Sequence, residues 1–290
     1  MALSAGSQPQ ADRSRLIGLL RAFGALLPGD WLKTAAYRAV VAKPRKVVRQ
    51  AITSFYRIDL VYQVLEAMRE YQGRFSILEF GTSQGYAFTK MLYATRFLRL
   101  SNRVTVHAFD SFEGLPPAVH PADRNVVTRD DVFVAGQYRG DRAGLEEYCS
   151  RHYDNYAIHQ GYFENVLTPA VLERFRWELP ILLWIDCDYY SSARTVMERI
   201  LPYVPSGCVV YFDDLSYNYG SRLTGEARLV HEVNRGDFGP DLELVLDREL
   251  GWDSNAVYRL IRAEGGPRYR RAQSLVPKPG RPRGNDSALP

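Results

Sequence analysis

The sequence predicts an α/β domain: five strand–helix units in a parallel sheet, closed by an antiparallel pair to give seven strands. Three observations predict it. Short apolar runs rich in β-branched and aromatic residues recur over 75–214, each bounded by turn residues, as buried strands are. Amphipathic helical segments alternate with them, the pattern of parallel strands joined by crossovers. Further on, L-E-L-V-L-D and A-V-Y-R-L-I-R flank G-W-D-S-N, which reads as a hairpin. The 290 residues suffice for one such domain with extensions.

The core is expected to begin near Ile52. Ile58, Val61, Val64, Leu65 and Met68 recur at helical spacing and form an amphipathic helix leading into the sheet. F-S-I-L-E-F-G is the first strand, with a helix from about Tyr86 to Leu98, and R-V-T-V-H-A-F-D is the second. Residues 111–150 read as a long charged insertion with little apolar periodicity. Y-A-I-H-Q-G-Y-F is the third strand, followed by a short helix over Pro169 to Arg176. P-I-L-L-W-I-D and C-V-V-Y-F-D-D are the fourth and fifth, with helices over Ser191 to Leu201 and Gly225 to Asn234.

The two ends differ from this body. Residues 1–50 carry a charge of +7 and residues 262–290 one of +5; with a chain total of +4, the middle carries −8. Residues 1–50 read as a basic helical extension, broken at Pro28-Gly29 and ended by Pro44. Such a segment fits a cap on the main domain, a weak contact with a membrane surface, or an arm that joins copies into a homo-oligomer. Residues 51–262 form the domain, and the Pro/Gly/Arg-rich tail 263–290 is expected to be disordered. An acidic body between basic ends does not suit a nucleic-acid platform. Cys149, Cys187 and Cys208 lack the paired spacings of a disulfide frame or zinc site, so they read as reduced cysteines of a cytoplasmic protein. No apolar run is long enough to span a bilayer, and no cleavage pattern follows the first apolar stretch.

The chemistry gathers at the strand ends. Asp186 and Asp188 end the fourth strand, and Asp213 and Asp214 end the fifth. Ligands of open parallel sheets bind outside the carboxyl ends of the strands, so one crevice receives several carboxylates. Such groups repel one another and are costly to desolvate; a hard divalent cation such as Mg²⁺ resolves the conflict. The turn Glu79-Phe80-Gly81-Thr82-Ser83-Gln84-Gly85 follows the first strand, with spacing E-x-G-x-x-x-G rather than G-x-G-x-x-G. Its glycines allow close backbone approach. Its acid disfavours a pyrophosphate and suits a cationic or zwitterionic ligand such as S-adenosylmethionine (SAM). Asp110, ending the second strand, is placed to accept from ribose hydroxyls. Gly161, Tyr162 and Phe163, ending the third, lie where an adenine stacks.

These motifs together resemble those of the macrocin O-methyltransferase (TylF/MycF/NovP-like) family. F-D-S-F-E-G-L-P resembles its F-D-x-F-E-G-L-P signature and brings Ser111 and Phe112 beside Asp110 at the donor site. G-Y-F-E-N-V-L resembles G-x-F-x-x-T-L, I-D-C-D-Y-Y-S-S resembles L-D-G-D-x-Y-x-S-T, and Y-F-D-D its I-D-D. The resemblance implies a Rossmann-like class I methyltransferase fold that moves a methyl group from SAM to a sugar hydroxyl with Mg²⁺ assistance. It implies Asp186, Asp213 and Asp214 as metal ligands. Asp186 or Asp188 then serves as general base, and Glu79, Gly81, Thr82, Ser83 and Gly85 hold the donor. The acceptor is a small-molecule hydroxyl, of a sugar or a glycosylated natural product. Cys187 departs from the family's glycine. Competing readings are a glycosyltransferase using Asp186-Cys187-Asp188 as a D-x-D motif, an NAD-dependent dehydrogenase, and a non-catalytic SAM-binding scaffold.

Overall fold

A computed structural model describes residues 58–128, 133–250 and 256–272. The expected N-terminal extension, the hairpin turn at 251–255 and the tail beyond 272 lie outside these residues. The elements in chain order are α1 (Ile58–Ala67), β1 (Tyr71–Gln72), β2 (Arg74–Phe80), α2 (Tyr86–Phe97) and β3 (Val104–Asp110). Then come α3 (Arg142–His152), β4 (Tyr156–Gln160), α4 (Phe163–Val166), α5 (Pro169–Glu173) and β5 (Glu178–Ile185). The rest are α6 (Tyr190–Ile200), β6 (Val209–Phe212), α7 (Gly225–Arg235), β7 (Leu242–Leu246), β8 (Val257–Arg262) and β9 (Arg270–Arg271).

Seven strands form one sheet in the order β4-β3-β2-β5-β6-β8-β7. β2 to β6 run parallel, while β8 lies antiparallel to both β6 and β7. The predicted architecture is therefore observed, with the last strand inserted between β6 and the edge. Successive residues of a strand face opposite sides of a sheet, and each central strand feeds two cores. Ile77, Leu182 and Val209 join Leu65, Phe88 and Leu92 on one face. Leu78, Leu183 and Val210 join Val196, Met197 and Leu229 on the other. These strands are apolar without alternation because helices cover both faces.

Two expectations need correction. The insertion at 111–150 is not unpatterned throughout, since α3 occupies its end; only Leu145 and Cys149 of that helix are buried, too little to make an apolar stripe in the sequence. The tail is also ordered past Arg262: β9 pairs with β1 in a separate two-stranded sheet, and the Tyr269 hydroxyl donates to the Pro180 carbonyl near the start of the central strand β5. The three cysteines are free and buried.

Candidate active site

Strand order alone creates the site. Chain order runs outward from β2 to β3 on one side and from β5 to β6 on the other, so the sheet's switch point lies between β2 and β5. A crevice opens there at the carboxyl ends. The register continues through it: the Asp186 amide donates to the Phe80 carbonyl at 2.9 Å, and the Asp213 amide to the Ile185 carbonyl at 2.9 Å. Three neighbouring strand ends are thereby held level. Oxygens of Asp186, Asp213 and Asp214 all come within 4.8 Å of one another.

Beside these acids the chain turns at Gly81, whose φ is +94°. A Cβ there would collide with the Asp186 carbonyl, so only glycine lets the turn after β2 cross the acidic strand end. A cavity of about 900 Å³ runs over both, at the upper end of small-molecule sites and roomy enough for two reactants. Glu79, Gly81, Thr82, Ser83, Asp110, Ser111, Gly161, Tyr162 and Phe163 line it, as do Asp186, Asp188, Asp213 and Asp214. Two of the expected donor contacts do not. Gly85 instead starts α2 with φ +75°, packed so closely on Leu145 that a Cβ would clash. Phe112, read from its motif as a ligand contact, is 5% exposed and packs into the core beside Leu145. Asp110 also braces the backbone around it. Its two oxygens accept the amides of Ser83 and Phe112, tying the donor turn to the loop after β3.

The insertion builds the opposite wall. The Leu115 amide donates to the Gln137 carbonyl and the Gly136 amide to the Leu115 carbonyl, both at 2.9 Å, closing a loop. That loop docks on the donor turn through the Ser83 hydroxyl to the Tyr138 carbonyl and the Gln84 amide to the Arg139 carbonyl. Asp123 anchors its other part on α6 by accepting from the Ser191 amide and hydroxyl. The Asn218 side chain, in the loop after β6, donates to the Arg124 carbonyl and accepts the Val126 amide. Leu115, Pro116, Pro117, Val119 and Phe133 thus give the cavity an apolar side facing the acids.

Electrostatically the acidic side is unrelieved. Among the described residues, none of Asp186, Asp188, Asp213 and Asp214 has a basic partner. Burial, then the charges of Asp213, Glu79, Asp214 and Asp188, push the Asp186 carboxyl well above its usual range. Burial and Asp214 push Asp188 to about 8, and burial and Asp213 push Asp214 to about 6. Glu79 rises to about 8, chiefly through burial. The Trp184 indole donates to Asp186 and the Tyr211 hydroxyl to Asp213, which orients both carboxylates without neutralising them. One acid escaped the reading of strand ends. Glu226, on the first turn of α7, is 1% exposed and accepts the Asp214 amide. The donor set of hard, anionic, uncompensated oxygens fits a divalent cation such as Mg²⁺.

Residues 78–215 match the family model described as a methyltransferase domain. No curated protein matches the sequence. Among solved structures, the calicheamicin methyltransferase CalS11 superposes with a TM-score of 0.51 at 20% identity, covering 90% of this chain and 99% of its own. The O-methyltransferase NovP gives 0.48 at 17% identity, covering 87% and 100%. At such identity CalS11 establishes the fold. The macrocin O-methyltransferase resemblance fits these findings, whereas the glycosyltransferase and dehydrogenase readings do not. Residues 78–215 match a methyltransferase domain, and the chain has the Rossmann-like fold of the class I methyltransferases.

Proposed function

We propose that the protein transfers a methyl group from SAM to a hydroxyl of a sugar or glycosylated small molecule, with help from a divalent cation. The observation that carries this reading is the convergence of the Asp186, Asp213 and Asp214 oxygens within 4.8 Å, directly beside the glycine turn that receives the donor. The three carboxylates would hold the ion. An ion held there would supply Lewis-acid activation of the acceptor hydroxyl. SAM supplies an electrophilic methyl group.

The chain's own residues supply the rest. Asp186 or Asp188 takes the proton from the acceptor hydroxyl. Glu79, with one buried oxygen lacking a protein donor, suits the cationic end of the donor, while Gly81, Thr82 and Ser83 pass it at backbone distance. Asp110 and Ser111 face its ribose, and Tyr162 and Phe163 its base. Holding both reactants in one crevice contributes much of the acceleration. Seven carboxylates line the cavity against one guanidinium among the described residues, Arg139. That balance favours an acceptor without anionic groups, and the apolar wall from Leu115 to Val119 suits an apolar aglycone.

The test is methyl transfer from SAM to a panel of alkyl and aryl glycosides, with Mg²⁺ and with excess chelator. The expected product is a methyl ether formed only with the cation. Undiminished turnover in chelator would remove the metal from the mechanism, and SAM binding without turnover on any acceptor would favour the scaffold reading.

A further inference from the structure

We infer that Glu226 is a positioning residue of the cation site, which holds Asp214 in place and supplies a negative charge behind the three ligands. This inference rests on the metal-assisted reading above. Its geometry is independent of any strand end. Gly225, at φ +58°, turns the chain into α7 and sets Glu226 on the helix's first turn. Thr224, just before it, is buried and its hydroxyl accepts from the Asn218 side chain, so this helix start is fixed to the loop that follows β6.

From there one Glu226 oxygen accepts the Asp214 amide at 3.1 Å. The other is buried and has no donor among the described residues. An acid 1% exposed, close to four other carboxylates and without a basic partner among the described residues, weakens the fold in the absence of a cation. α7 nonetheless has arginine available: Arg228, two residues on, pairs with Glu232 instead. A helix N-terminus tolerates an acid, but a surface position would satisfy that preference without burial. The arrangement is explained if the charge serves a cation and the amide bond fixes the backbone from which Asp214 reaches it. Groups that orient metal ligands typically change affinity by about 10–100-fold when removed.

The test uses the full chain with Glu226→Gln and Glu226→Ala, measuring Mn²⁺ affinity by calorimetry, SAM affinity in chelator, and melting temperature in chelator. Expected is a loss of Mn²⁺ affinity of about 10–100-fold in Glu226→Ala and a smaller loss in Glu226→Gln, which keeps the amide acceptor. SAM affinity should stay within about twofold, and the metal-free Glu226→Gln protein should melt no lower than wild type. Unchanged Mn²⁺ affinity in both variants, beside normal wild-type binding, overturns the role of Glu226 alone. A lower metal-free melting temperature with loss of SAM binding in both variants overturns it in favour of a purely structural role. Absence of Mn²⁺ binding by wild type overturns the metal-assisted reading itself, and this inference with it.

Discussion

Two groups of acids, wholly or partly withdrawn from solvent, lie in one domain and have opposite surroundings. Glu178, at the start of β5, is bonded by Arg174, with His107 beyond it. Burial alone would raise its pKa; the His107 and Arg174 interactions outweigh burial and bring it to about 2. Glu232 on α7 receives Arg228, Tyr190 and Arg194, and its pKa is likewise held down against burial. At the other end of the same sheet Asp186, Asp188, Asp214 and Glu226 receive no arginine among the described residues, and burial raises them all. Arginines thus neutralise Glu178 and Glu232. The strand-end group has no such partners among the described residues, as the proposed cation site requires.

Substitutions and conditions can break this contrast. Asp213→Ala should reduce methyl transfer by roughly 10³-fold, the several kcal/mol that a Lewis acid contributes. It should leave SAM affinity in chelator nearly intact, because Asp213 is exposed and lies outside the donor turn. Calorimetry beside an activity assay checks both halves. Gly81→Ala couples the donor turn to the acids: with φ +94° and a collision at the Asp186 carbonyl, it should cost more than about 3 kcal/mol and abolish SAM binding, seen by denaturant unfolding. Mg²⁺ at a hundredfold excess over its Kd should stabilise wild type by about 2.7 kcal/mol, roughly 5–10 °C for a domain of this size, and Asp213→Ala hardly at all. At the compensated end, Glu232→Gln should cost about 1–3 kcal/mol, because it leaves two arginines short of their acceptor, and should not alter Mg²⁺ affinity.

The two groups also predict opposite pH slopes, the smallest of these effects. His107 and His159 share a bond of 3.1 Å, and burial holds both below the usual range, His159 at about 4. They remain neutral in the fold while the unfolded chain takes up protons below about 6.5. Stability from this pair is therefore present above about 6.5 and lost as pH falls toward 4. Glu178 adds a loss from about 4.5 down to about 2. The strand-end acids behave conversely. Their folded pKa values are raised, so their contribution is full below about 4 and is lost as pH rises through about 8. Melting curves in chelator should show both slopes; His159→Gln should flatten the first, and Mg²⁺ should remove the second.

Much of this was legible in the sequence because strands announce themselves by apolar runs and the acids stand immediately after them. Asp186, Asp213 and Asp214 needed only that two strands be neighbours, and Gly81 only that a turn follow β2. What was not legible depended on tertiary packing. Phe112 sits within a motif of ligand contacts yet turns inward at φ +58°, and periodicity says nothing about a single residue in a loop. Glu226 is one acid among the polar residues of an amphipathic helix, and only folding brings it under Asp214. The α3 helix buries too few apolar side chains to be seen, and β9 is a pair of arginines whose strand character comes wholly from β1.

The most direct measurement of the central idea is Mn²⁺ binding followed by electron paramagnetic resonance on the full chain, beside Asp213→Ala. One tightly held ion per chain in wild type and none in the variant is the predicted result. A wild-type protein that leaves millimolar Mn²⁺ free in solution while methylating its acceptor at full rate would contradict it.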